Sequence, residues 1–131
     1  MPPPRLLLFC CALSGFLTVA LGAFGAHALA ASLTPKLQAT YQTAVEYQGL
    51  HTLAALLTAL LSLHYPNSRW LPRAGWLLLF GILLFSGSLY LLSITGIRGL
   101  GAITPFGGIT LLAGWLILAY ATLRLPDRGK G

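Results

Sequence analysis

The sequence predicts an all-α integral membrane protein: a four-helix transmembrane bundle with both termini in the cytoplasm. Three observations lead there. Of 131 residues, 56% are hydrophobic and only 8% charged, where soluble domains carry roughly 25% charged residues. Mean hydropathy is +0.80, and the apolar runs between charges approach the ~20 residues that cross a bilayer. Proline and glycine breakers divide the chain into four such runs. No polar block is large enough for a second unit, so residues 1–131 form one domain.

Residues 1–5 are a proline-rich tail ending in Arg5. Residues 6–31 follow without a charge, enough for roughly 39 Å of helix at 1.5 Å per residue. Arg5, this apolar run and Ala26-His27-Ala28 have the outline of a signal peptide. The run exceeds the usual ~7–15-residue apolar region of such peptides, so it is expected to be retained as the first span. Ser14, Thr18, Gly22 and Ala26 recur at every fourth position, a stripe of small residues where a neighbouring backbone can approach.

Thr34-Pro35 has the form of a helix start, with Thr as cap and Pro in the first turn. No strong breaker follows until Pro66. Residues 35–44 are therefore expected as a polar helix start and residues 45–64 as the second span, with tilt or a bend near Gly49 absorbing the excess length. His64–Arg73 reads as a turn at a headgroup layer, carrying Arg69, Arg73, Tyr65 and Trp70. Residues 74–96 form the third span, and Gly96–Gly101 a glycine-rich loop around Arg98. Thr104-Pro105 repeats the cap-plus-proline start, leading into the fourth span at 105–123. Gly81, Gly87, Gly107, Gly108 and Gly114 are positions for close packing.

Orientation follows from counting Lys and Arg on alternate sides. Arg5, Arg69, Arg73, Arg124, Arg128 and Lys130 share one face, while Lys36 and Arg98 lie on the other. Six against two places both termini in the cytoplasm. The net charge of +6 is spread singly along the chain, unlike a phosphate-tracking patch, and no nucleic-acid partner is expected. Cys10 and Cys11 are adjacent and are the only cysteines, which leaves no disulfide framework.

The polar residues concentrate toward the outer face. Glu46 is the only acidic residue before the C-terminal tail. His27, Glu46 and Arg98 fall at one level, at the outer ends of their elements. His51 comes about 7.5 Å deeper than Glu46 and Tyr90 about 12 Å deeper than Arg98, at 1.5 Å per residue. His27, Glu46, His51 and Tyr90 are accordingly the candidate polar or ligand site, and Glu46 with Arg98 the candidate structural ion pair. Glu46 is rotated by about 140° from His51 on a helix, which separates their roles. Ala44, Tyr47, His51, Ala55 and Thr58 share one stripe, so His51 faces inward while Glu46 ties down loops. His64 belongs to the interfacial turn.

Bis-His haem ligation by His27 and His51 requires two imidazoles at similar depth, and their levels differ by about 10 Å. A metal site from His27, Glu46 and His51 has suitable ligand types without the short spacing of a metal motif, and no metal is expected. There is no Ser-His-Asp order, carboxylate pair, P-loop or dinucleotide fingerprint, so no catalytic residue is assigned and an enzyme is not expected. No cofactor is named by any motif.

Four strings taken together carry a resemblance: ALGAFGAHAL at 20–29, TAVEYQGLHTLA at 43–54, LFSGSLY at 84–90, and TPFGG with LAGW at 104–108 and 112–115. They resemble the YgdD-like family of small bacterial inner-membrane proteins of unknown function, whose eukaryotic relative is named transmembrane protein 256. The resemblance covers all four spans in order. It implies a four-span protein of the bacterial inner (plasma) membrane, retention of the first span, and attention to His27, Glu46, Gln48, His51 and Tyr90. It supplies no catalytic residue.

The leading expectation is a non-enzymatic membrane protein that acts by association, as an accessory subunit or a homo-oligomer, because small residues exceed what a lone four-helix bundle requires. The alternative is a small-molecule or cofactor site, for quinone, metal or haem, near the outer leaflet. The lipid bilayer is the one partner expected under either reading. Proton or ion transport is disfavoured, since one carboxylate and no inverted repeat are present.

Overall fold

The computed structural model describes residues 4–127. Arg128 and Lys130, which entered the orientation count, lie outside the described residues. Four long helices run in chain order: α1 (Pro4–Phe24), α2 (Pro35–His64), α3 (Trp70–Thr95) and α4 (Thr104–Leu123). A π-helical turn, Gly25–Leu29, extends α1, and a 3-10 turn, Arg98–Ala102, precedes α4.

Several boundaries follow from local chemistry. The Thr34 hydroxyl accepts the Leu37 N–H at 3.2 Å, with Pro35 in the first turn, so the expected cap forms. α3 ends where Gly96 turns left-handed, at φ 71°, and returns its N–H to the Leu92 carbonyl, a conformation only glycine adopts without steric cost. Three expectations need correction. The first helix does not run regularly to residue 31; it widens into the π turn, because the Tyr41 ring occupies the space beside Gly25 and the Tyr41 hydroxyl donates to the Leu21 carbonyl. The third helix begins at Trp70 rather than residue 74, since Pro72 falls in the first turn, where a missing N–H costs no bond. Thr104 does not cap α4. Its hydroxyl instead meets Ser88 Oγ at 2.7 Å, tying α4 to α3.

The helices pack as a sequence of neighbours rather than a closed ring. α1 lies mainly on α2, α2 on α3, and α3 on α4, with only a slight α1–α3 contact and no substantial interface between α1 and α4. The bundle expected from the sequence is therefore an open one. Three stretches are long and apolar enough to cross a membrane: Pro4–Leu29, Trp70–Thr95 and Arg98–Leu123. α2 falls outside that class among the described residues, and it carries many buried positions, including Gln48, His51, Thr52, Thr58 and Ser62. α1 and α3 pack against it from two sides.

Glycines set the close approaches. A Cβ at Gly107 would meet the Phe85 backbone N at 2.4 Å, one at Gly81 would meet Leu111 Cδ2 at 2.5 Å, and one at Gly114 would meet Leu78 Cδ2 at 2.8 Å. The small residues of α3 and α4 thus serve the interface between those two helices. Gly49, offered as a bend, lies within an unbroken α2 and faces α1 instead, where a Cβ would stand 3.3 Å from Thr18 Cγ2. An apolar core of Leu7, Cys11, Ala54, Ala55, Ala59, Leu78, Ile82 and Leu111 fills the half of the molecule toward the α2–α3 turn.

Candidate functional site

The other half is polar inside. Gln48 on α2 is its hub: its Nε2 donates to the Ser14 carbonyl at 3.2 Å and Ser14 Oγ at 3.4 Å, and its Oε1 accepts the Tyr90 hydroxyl at 2.6 Å. Ser14 Oγ also lies 2.7 Å from Thr52 Oγ1. One side-chain amide therefore joins α1, α2 and α3. Ser86 Oγ adds a second α2–α3 tie by donating to the Ala44 carbonyl at 2.8 Å. Tyr41 packs edge-on against Tyr90, ring centroids 5.2 Å apart. Burial pushes the Tyr41 phenol above its ordinary pKa, so it remains a protonated donor.

His51 is buried and lies outside this chain of bonds. Its Nδ1 is 2.8 Å from the Tyr47 carbonyl. A carbonyl only accepts, so Nδ1 carries the proton and Nε2 holds the lone pair when the ring is neutral. The ring stacks on Tyr47 at 5.6 Å and meets Trp115 edge-on at 5.9 Å, while Tyr47 stacks on Phe85 at 4.4 Å. These rings link α2 to α3 and α4.

The candidate residues read from the sequence do not converge. His27 sits exposed in the π turn and Glu46 is exposed on α2, whereas His51 is buried and Tyr90 is bound to Gln48. The Glu46 carboxylate accepts from Gln42 Nε2 at 3.4 Å, one turn back on its own helix. It makes no ion pair with Arg98 among the described residues; both side chains point outward from separate elements. The cavities at this end have other walls. One of about 390 Å³ includes Tyr41 and Gln42, and one of about 460 Å³ includes Thr34, Lys36 and Arg98. No group of three His, Cys, Asp or Glu side chains is placed to hold a metal among the described residues.

Sequence reasoning passed over Ser14 and Thr52 as polar partners, and reached Gln48 only through resemblance. A signal was present: Gln48 and Thr52 stand four apart inside an apolar run, hence on one helical face. The groove between α1 and α3, about 440 Å³, has Ser14 and Gln48 at its floor and Cys10, Leu17, Trp76 and Leu83 among its walls. With its hydrogen bonds met internally, the network is suited to holding helices together more than to chemistry.

Long apolar helices outside and a polar network sealed within define a small, all-helical, multi-pass membrane protein. The chain belongs to the DUF423 family, described as "Protein of unknown function (DUF423)", whose family model matches residues 21–108. It is 50% identical over 52 residues to the UPF0382 inner membrane protein YgdD of Escherichia coli (strain K12), 40% of each chain, and equally to that of Shigella flexneri. It is 52% identical over 52 residues to a UPF0382 membrane protein of Haemophilus influenzae, covering 40% of this chain and 42% of that one. The chain thus spans about two fifths of the length of the curated relatives it matches. No solved structure matches. The inner membrane is the location named for the Escherichia coli and Shigella flexneri relatives, and the three apolar helices of this chain fit a multi-pass membrane protein.

Proposed function

We propose that this protein is a non-enzymatic, four-span inner-membrane protein with cytoplasmic termini that works by self-association through α2. One observation carries the reading. α2 is the long helix least suited to lipid, yet Leu50, Leu53, Leu57 and Leu60 form an uncovered stripe, 48–63% exposed, headed by exposed Glu46. Steps of four, three, four and three from Glu46 keep these residues on one face of α2, with the spacing that interlocking helices use. Gly81, Gly107 and Gly114 are taken up between α3 and α4, which favours this leucine face as the interface.

A photo-crosslinking residue placed at Leu53 in native membranes is expected to give a species of twice the monomer mass. The same residue at Leu116, on the lipid-facing side of α4 with 71% exposure, is expected to give none. Monomer alone from both positions would sink the proposal, and a heavier adduct with a different protein would replace self-association by an accessory-subunit role. Orientation has its own check. A green fluorescent protein fused at the C-terminus, fluorescent only when it folds in the cytoplasm, is expected to be bright; a dark fusion reverses the topology.

A further inference from the structure

The end of the molecule where α2 turns into α3 holds a cavity of about 630 Å³. Its wall combines the α2–α3 turn, the start of α3 and the segment just after α4. Arg69, Arg73 and Arg124 line it, with no acidic side chain among the described lining residues. Two of these cations are held by rings: Arg73 Cζ stands 5.0 Å from the Trp70 ring centre, and Arg124 Cζ 5.9 Å from that of Tyr120. The two rings meet edge-on, centroids 5.2 Å apart and planes at 88°. Arg73, Trp70, Tyr120 and Arg124 therefore form one continuous stack joining α3 to the end of α4.

A guanidinium laid on an aromatic face keeps its N–H edge available for oxygen ligands, and its planar fork matches two oxygens of a phosphate. Three guanidinium groups around one cavity, two of them on rings, with no carboxylate among the described lining residues, are mutually repulsive, so an anion entering gains from all three. The depth is also specific. Trp70 opens one apolar span and Tyr120 closes on the end of another, the headgroup level at which Trp, Tyr and Arg anchor membrane proteins. Beside Arg124, Leu123 is 84% exposed on the lipid-facing side of α4, which gives an acyl chain a surface to follow.

We propose that this cavity is a binding site for the phosphate of an anionic glycerophospholipid, held by Arg69, Arg73 and Arg124 with the glycerol region against Trp70, which Tyr120 backs. Arg69, Trp70 and Arg73 lie within the family match at residues 21–108, and Tyr120 and Arg124 beyond it. The site does not depend on self-association, because its lining residues belong to one copy.

Native mass spectrometry of the full chain in detergent, titrated with phosphatidylglycerol or phosphatidylcholine, tests the proposal. Phosphatidylglycerol is expected to be retained at least tenfold more strongly. The Arg73→Gln/Arg124→Gln variant is expected to lose that preference. Because removing both charges can disturb insertion, Arg73→Lys/Arg124→Lys serves as the second variant: it keeps the charges without the forks and is expected to bind several-fold more weakly than the original chain. Equal retention of the two lipids overturns the proposal, as does an anionic preference unchanged in either variant. Displacement of phosphatidylglycerol by an equal concentration of inorganic phosphate also overturns the lipid assignment, in favour of a free-anion site.

Discussion

Gly107→Ala is expected to destabilise the folded protein by about 3 kcal/mol, the upper part of the usual range for overpacking. The added Cβ would stand 2.4 Å from the Phe85 N and 2.6 Å from the Phe85 Cα. Both atoms are backbone, so no rotamer change relieves the overlap and α4 must move off α3. That movement also disturbs the Ser88–Thr104 hydroxyl pair at 2.7 Å and the fit of Leu111 over Gly81. Gly87→Ala is the matched control, since its Cβ meets nothing within 4 Å. It should be neutral or stabilising by up to about 1 kcal/mol, from helix propensity alone. Equilibrium unfolding in mixed detergent–SDS micelles measures both. Equal midpoints for the two variants would show that the close approach of α3 and α4 is absent in the protein.

Gln48→Leu is expected to cost about 2 kcal/mol, through groups left without partners rather than through lost volume. Leucine fills much of the same space, but the Tyr90 hydroxyl loses its 2.6 Å acceptor, while the Ser14 carbonyl and hydroxyl lose the Gln48 donor and keep Thr18 and Thr52. Each orphaned buried polar group costs on the order of 1–3 kcal/mol, reduced within a membrane because the unfolded chain finds other partners. Combining Gln48→Leu with Tyr90→Phe isolates the bond between them. The coupling should be about 1 kcal/mol, within the range measured between membrane helices. Strictly additive losses in the same unfolding assay would remove Gln48 from its place as hub.

Most of the fold was legible in the sequence because lipid imposes simple rules. Length and apolarity marked α1, α3 and α4, and Thr34-Pro35 marked the start of α2. Local pattern misled where tertiary contact took over. Thr104 had the look of a cap and became an interhelical bridge, and Gly25 opened a π turn to make room for Tyr41, twenty residues from the carbonyl it binds. The candidate site was less legible for a related reason. Charge drew attention to Glu46, His27 and Arg98, yet ionised groups near a membrane boundary do best in water, and all three are exposed. The residues that join helices are uncharged: Ser14, Gln48, Thr52 and Ser86. Their partners come from other helices, 34 to 42 residues away, and no local pattern pairs them.

The open order of the helices bears on how the molecule is built. Each helix after the first packs on the one synthesised just before it, so the main interfaces can form in chain order. α1 and α2 can close as a hairpin when Ser14 meets Thr52, and α3 can dock when Tyr90 reaches Gln48, before α4 leaves the ribosome. Assembly in the order of translation gives the polar groups of α2 their partners early, since the helices that hold them arrive immediately before it and immediately after it.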